Sequence, residues 1–393
     1  MEILNEQRLL EQALGRSAAL NDGRLMLYAG ANLPSPEAQQ AYSPALSAYP
    51  AMGPSFSKEQ PDTDVVSGLE VAVRDRICAL FGAQWAEPRL PSCTIANLAV
   101  FHAFSKPGDL LLAPAAAHGG HLSQRRGGTP SLAGLEVEDL PFDTRRCVLD
   151  ATRAAERVRE RRPTLVMLGR SVIIKPDDIE PVVEAAREVG AKTIFDASHV
   201  SGLIAGGTFP NPLALGVDVL TSSTYKTLPG RPHSLIAGRD PADGERLAAL
   251  IDRALLANYD AGKLPAFLHT LREVEAKGKS YAEKVCANSQ ALAQGLRQRG
   301  VAIIAPATDE VFTHQILIPM AADVLAPVAI AALEGRGILV GTCADPTSPG
   351  NYALRVGTQF ITAQGQDPDM SAIAQRLAGA LKSSANGRMT AVW

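Results

Sequence analysis

Between residues 66 and 240, apolar positions alternate between helical stripes and short apolar runs. Residues 69–81 carry a helical period, 109–113 read as a short strand, and 151–162 as a charged helix. Residues 164–168 read as a buried strand. Pro176, Asp177 and Asp178 then open a helix. Its apolar residues Ile179, Val182, Val183, Ala186 and Val189 follow the spacing of one buried face, and Gly190 is its C-cap candidate. Strands are expected at 193–196, 217–221 and 234–237. Such alternation implies an α/β fold with a mostly parallel sheet covered by helices on both faces.

The flanks behave differently. Residues 1–20 read as an amphipathic arm with Ile3, Leu4, Leu9, Leu10 and Leu14 on one side, suited to packing on a neighbouring domain or subunit. Residues 30–65, rich in Pro, Ser, Ala and Tyr, are long for a passive loop and are expected to wrap a site. Past residue 242 come a helix at 242–257, a Gly/Pro break at 262–265 and a long helical stretch at 266–299. A smaller α+β pattern follows: strands 301–304 and 313–318, helix 323–334, strands 337–340 and 353–357, and helix 369–382. The predicted organisation is an arm (1–45), a large domain (46–260) and a small C-terminal domain (261–393) entered through a long linking helix.

Composition narrows the function classes. A chain of 393 residues, 46% apolar and 20% charged, is globular and has room for two or three domains. Only 5% of residues are aromatic and the net charge is −3, so a nucleic-acid partner is not expected. The Arg157, Arg159, Arg161 and Arg162 patch reads as a solvated helix end. Five dispersed cysteines without a C-x-x-C pair exclude a disulfide framework or zinc site and suit a reducing cytosol. No run approaches a membrane span, and no signal peptide is evident, so a soluble cytoplasmic protein without a metal is expected.

In open sheets of this kind, ligands bind beyond the carboxyl ends of the strands. The residues there are His118-Gly119-Gly120-His121 after 109–113, Ser171 after 164–168, and Asp196 and His199 at 193–199. Ser222, Ser223, Thr224, Tyr225 and Lys226 follow 217–221. A lysine among hydroxyls at a strand end, with a carboxylate on the neighbouring strand, suits pyridoxal phosphate. That cofactor needs a Schiff-base lysine and an acid on its pyridine nitrogen. Taken singly, Lys226 also reads as a surface lysine, and Asp196 as a cap.

Five stretches in order carry a resemblance. They are 64–66, Ala117-His118-Gly119-Gly120-His121-Leu122, 195–203, Tyr225-Lys226-Thr227-Leu228 and Leu354-Arg355-Val356-Gly357-Thr358. From about residue 49 to 363 the chain resembles serine hydroxymethyltransferase, a fold-type I pyridoxal-phosphate enzyme. The resemblance implies Lys226 as the Schiff-base lysine, Asp196 on the pyridine nitrogen, His118 stacked on the ring and His199 beside it. Ser171 would lie near the phenolic oxygen, and Thr224 among the cofactor-binding hydroxyls. Ser92, Cys93 and Thr94 would hold the phosphate at a helix N-terminus, where free N–H groups favour an anion. Arg355 would pair with the substrate α-carboxylate through two parallel hydrogen bonds. Gly262 would reach the neighbouring subunit's phosphate, implying a homodimer, or a tetramer built on it, with shared sites.

The substrate side departs from the family. Ser47 stands where the family has a glutamate that handles protons, and Ala45 where it has a tyrosine; Tyr49 is retained. The family's Tyr-Tyr pair has at most Phe56 as a counterpart, and Tyr225 replaces a histidine before the lysine. These changes weigh against tetrahydrofolate as a second substrate, because a serine is no general base near neutral pH without an activator. The leading expectation is folate-independent aldol-type chemistry at Cα of a small β-hydroxy amino acid. Lys226 would move protons, with His118, His199 or Tyr225 as catalytic candidates. True hydroxymethyl transfer, racemisation, transamination or β-elimination, and a non-catalytic binding protein stay open as alternatives.

Overall fold

The computed structural model describes residues 5–16, 23–304, 313–322, 324–365 and 367–385. Its centre is a seven-stranded sheet in the order Trp85–Glu87, Ser234–Gly238, Val219–Ser223, Lys192–Asp196, Leu165–Leu168, Leu110–Ala113, Glu136–Asp139. Ser234–Gly238 runs antiparallel to both neighbours, and the other pairings are parallel. Successive side chains feed two separate cores, as the two-residue period of a strand dictates. Leu112, Val166, Leu168, Phe195 and Leu220 enter one; Leu111, Leu165, Met167, Ile194 and Val219 enter the other. Burial on both faces explains the continuous apolar runs in these strands. The edge strand Glu136–Asp139 is charged instead, which blunts edge-to-edge pairing.

A smaller unit has its own core. Gln315–Pro319, Tyr352–Gly357 and Gly341–Ala344 form an antiparallel sheet, covered by Ala326–Glu334 and Met370–Ala385. Leu25–Met26 of the arm pairs in parallel with Ile338–Leu339, so this part of the arm packs with the C-terminal unit. The 36-residue helix Lys263–Gln298 joins the units. Leu264, Phe267 and Leu271 lie in a large-unit core, and Leu292 and Leu296 in the small-unit core. Pro265 falls in its first turn, where a missing N–H costs nothing.

Several boundaries move. The helix expected from Pro176 begins at Glu180, because Asp177 is used elsewhere: its carboxylate pairs with Arg170 and accepts from the Leu149 N–H at 2.8 Å. The strand at 301–304 shrinks to an Ile304–Leu317 bridge. The arm helix is described at Glu6–Leu14; residues 1–4 and 17–20, with Ile3 and Leu4, lie outside the described residues, as does residue 323. Residues 30–65 hold two short helices, Pro36–Gln40 and Pro44–Ser47, each capped by a serine. Buried Glu70 anchors the rest of that segment, accepting from Lys58 Nζ at 2.6 Å and from the Ser55 and Tyr259 hydroxyls.

The strand order reverses between Leu110–Ala113 and Leu165–Leu168, since the chain leaves the first toward Glu136–Asp139 and returns on its other side. The crevice at such a reversal is the expected ligand site. At its base Gly169 has φ +75°, and a Cβ there would collide with the Asp196 carbonyl. Gly169→Ala is expected to lower stability by about 1–3 kcal/mol from backbone strain alone. It should also shift the end of Lys192–Asp196. An unchanged urea midpoint would count against this close approach.

Candidate active site

Beyond the strand ends lies a cavity of about 60 Å³, lined by Ser92–Thr94, His121, Ser123, Gln124, Arg170, Ser171, Asp196, Ser198, His199, Ser223, Tyr225 and Lys226. Of the expected residues it brings together Lys226, Asp196, His199, Tyr225, Ser92, Cys93, Thr94 and Ser171.

Asp196 is held from two sides. Asn97 Nδ2 donates to Oδ2 at 3.0 Å, and the Ser198 N–H to Oδ1 at 3.0 Å. Asn97 also donates to Ser123 Oγ (2.9 Å) and accepts from Thr221 Oγ1 (2.7 Å), which fixes its amide orientation. Asn97 was not foreseen. The available signal was an amide in the middle of the mostly apolar helix Cys93–Phe104. Cys93 Sγ lies 3.6 Å from Asp196 Oδ2, and burial followed by that charge pushes its thiol up. Ser92 is the N-cap of this helix, so its free N–H groups open on the cavity beside Thr94.

His118 is a correction. It lies outside this cavity, stacked on Phe142 at 4.4 Å, and His121 lines the cavity in its place. The cause is the turn between them. Gly119 takes φ +86° against Val172, and its carbonyl accepts from the Ser171 N–H at 2.8 Å. The chain thereby reverses and turns the second histidine inward. The Ser123 N–H lies 3.2 Å from His121 Nδ1 and the Ser123 hydroxyl 2.8 Å away. The backbone N–H can only donate, so Nδ1 is an acceptor, and His121 is neutral with its proton on Nε2. Burial, with Lys226, Arg125 and Arg355, lowers its pKa against the opposing pull of Asp196.

Lys226 is partly buried and, among the described residues, has no carboxylate at ion-pair distance. Burial drives its ammonium below the usual lysine range; Asp196 opposes this and Arg355 adds to it. Asn32 Nδ2 donates to the Lys226 carbonyl at 2.6 Å and fixes the backbone here. Lys226 Nζ sits 5.9 Å from the Tyr225 ring centre. Burial raises the Tyr225 pKa, so it is a phenol at neutral pH.

Arg355, on Tyr352–Gly357, is 9% exposed. Its Nη1 donates to the Ser171 carbonyl at 2.9 Å, whereas Nε is buried without a partner. Its charge helps lower the pKa values of Lys226, His199 and His314, which places it beside the cavity. A buried guanidinium lacking a carboxylate is costly to the chain alone and suits an arriving anion.

Four expected residues stand elsewhere. Thr224 turns its hydroxyl to the Arg231 carbonyl (2.6 Å); its neighbour Ser223 lines the cavity with a buried, unpartnered Oγ. Ser47 bonds the Tyr42 hydroxyl at 2.9 Å, and Gly262 packs against Ser43 and Ser47. Tyr49 is exposed. None of these lines this chain's cavity. Gln124, also unforeseen, is fully buried there with an unpartnered Nε2.

The residues present fit pyridoxal phosphate: an amine of lowered pKa, a fixed carboxylate, a neutral imidazole and a helix N-terminus share one cavity with orphaned buried donors at Ser223 and Gln124, and Arg355 Nε is orphaned beside it. Among the described residues no group of His, Cys, Asp or Glu could hold a metal, and no helix is long and apolar enough to cross a membrane.

Known proteins match along most of the chain. A serine hydroxymethyltransferase family profile matches residues 10–377. An alpha-methylserine aldolase of Variovorax paradoxus is 33% identical over 365 residues, covering 92% of this chain and 83% of that one. A serine hydroxymethyltransferase of Thermococcus onnurineus is 32% identical over 362 residues, covering 90% and 84%. The crystal structure of L-threonine transaldolase from Pseudomonas fluorescens superposes with a TM-score of 0.87 at 25% identity, over 95% of this chain and 86% of that one. The α/β sheet, the cavity beyond its strand ends and these matches together establish that the chain belongs to the serine hydroxymethyltransferase family, and so is a pyridoxal-phosphate-dependent enzyme of fold type I.

Proposed function

We propose that the enzyme makes or breaks the Cα–Cβ bond of a small β-hydroxy amino acid without tetrahydrofolate. The observation that carries this is a buried Arg355 guanidinium, without a carboxylate partner and with Nε unpaired, beside the cavity that holds the lowered-pKa amine of Lys226. Two relatives support it by their own activities, an alpha-methylserine aldolase and an L-threonine transaldolase.

Bound pyridoxal phosphate supplies an electron sink for charge left on Cα. The chain's residues do the rest. Ser92, Cys93 and Thr94 would take the phosphate at the helix N-terminus. Asp196, held by Asn97 and the Ser198 N–H, would keep a proton on the pyridine nitrogen. Arg355 would grip the α-carboxylate and so orient the scissile bond. Lys226, whose pKa burial lowers, would accept a proton more readily than an exposed lysine, and Tyr225, kept as a phenol, would donate one. His121 takes the stacking role first assigned to His118. Ser47 carries no carboxylate for folate-linked proton transfer. A homodimer or tetramer in the cytoplasm, with Gly262, Ser47 and Tyr49 serving the neighbouring site, belongs to the same reading.

The test is to offer serine, α-methylserine and threonine with and without tetrahydrofolate and to measure released aldehyde. Release at the same rate in both conditions is expected. Cleavage of serine only with tetrahydrofolate would instead establish hydroxymethyl transfer. Deuterium exchange at Cα without aldehyde would point to racemisation or a related reaction.

A further inference from the structure

Gln315 lies on the first strand of the small unit, yet its side chain reaches Ser171 and His199, which line the large unit's cavity. Its Oε1 accepts from the Ile173 N–H at 3.1 Å, and its Nε2 donates to the Ser171 carbonyl at 3.0 Å. A backbone donor on one side and a backbone acceptor on the other leave a single orientation for the amide. Nε2 has one further hydrogen, and His199 Nδ1 lies 3.1 Å away. His314 Nε2 is more distant, at 3.4 Å, and is already directed at the Ala29 carbonyl.

From this geometry we infer that Gln315 is a positioning residue that locks His199 as a neutral imidazole with its proton on Nε2, a fixed donor into the cavity. A protonated His199 would bring an N–H against an N–H at Nδ1. The surroundings of His199 act in the same sense: burial first, then Lys226, Arg355, His314 and His121, lower its pKa well below the usual histidine range. His199 Nδ1 is therefore closed to proton abstraction. The inference rests on the proposed reaction only for its consequence, which is that proton transfer falls to Lys226 and Tyr225 and not to the histidines. The lock itself stands on Gln315 alone.

Histidine ¹⁵N–¹H correlation spectra of the full-length chain, with and without pyridoxal phosphate, test it, with His199→Asn assigning the signal. The wild type is expected to show Nε2–H and an unprotonated Nδ1 at every pH from 5 to 9. Gln315→Glu puts an acceptor opposite Nδ1, so the proton should move to Nδ1 and the ring should begin to titrate in that range. With cofactor bound, this variant should shift the visible absorption band and lower kcat more than it raises KM, whereas Gln315→Asn should restore neither. A wild-type His199 protonated at Nδ1, or a Gln315→Glu chain that folds with an unchanged tautomer, overturns the lock. A purely structural role would lower the melting temperature and leave the tautomer signal alone. Because the spectra do not depend on turnover, a wrong choice of substrate leaves this result intact.

Discussion

Lys226→Ala is expected to lower turnover by on the order of 10⁴-fold, or about 5.5 kcal/mol in the barrier. Two proposed roles would be lost together, the covalent attachment of the carbonyl cofactor and the proton acceptor at Cα. No neighbour can stand in. Tyr225 is held as a phenol by burial, and His121 and His199 present N–H groups to the cavity. The variant should still fold, because a partly buried ammonium without a carboxylate partner is a cost to the folded state. Borohydride reduction of the cofactor-loaded wild type, followed by peptide mapping, checks the assignment directly. The pyridoxyl label should be on the peptide containing Lys226. Label on another lysine, or near-normal turnover by the variant, would remove the basis of the proposed mechanism.

Arg355→Ala is expected to lower kcat/KM by about 10²–10³-fold, the range for truncating one partner of a buried charge pair. The loss should appear mainly in KM if the carboxylate is held equally before and during reaction. Arg355→Lys keeps the charge but not the planar fork, so partial recovery is expected. Stability should respond differently. The Ser171 carbonyl keeps its bond from Gln315, and relief of an unpartnered guanidinium offsets the bond lost from Nη1. An unfolding midpoint within about 1 kcal/mol of wild type, alongside the loss of activity, marks Arg355 as a ligand-binding residue. A large stability loss with unchanged KM would mark it as structural.

The parts of this fold that were legible in the sequence were those set by periodic burial. The strands Lys192–Asp196 and Ser234–Gly238, and the helix Ala151–Arg161, lie within a residue or so of expectation because each is dictated by its own apolar pattern. Strands with no such pattern were missed: Trp85–Glu87 and Glu136–Asp139 at the sheet edges, and Gly341–Ala344, whose small residues carry little signal. The site behaved similarly. Lys226 and Asp196 sit where strand direction alone puts them. The choice between His118 and His121 turned on the sign of one φ angle at Gly119, which composition does not encode. Gln315 and Asn97 act on His199 and Asp196, each about a hundred positions away in sequence, so only the folded chain reveals them.

The pairing of Leu25–Met26 with Ile338–Leu339 has a consequence for how the chain is made. Those partners are separated by more than three hundred residues, and at about 5–20 residues per second the first strand waits on the order of 15–60 s for the second to leave the ribosome. During that interval the large unit's sheet can form, since its strands all lie between Trp85 and Gly238. Leu25 and Leu27, buried in the folded molecule, stay uncovered until Ile338 and Leu339 have emerged. The small unit, which carries Arg355 and Gln315, is thus assembled after the large unit, from segments on either side of it in sequence. A nascent chain holds Lys226 and Asp196, proposed for the cofactor, well before it holds Arg355, proposed for the substrate.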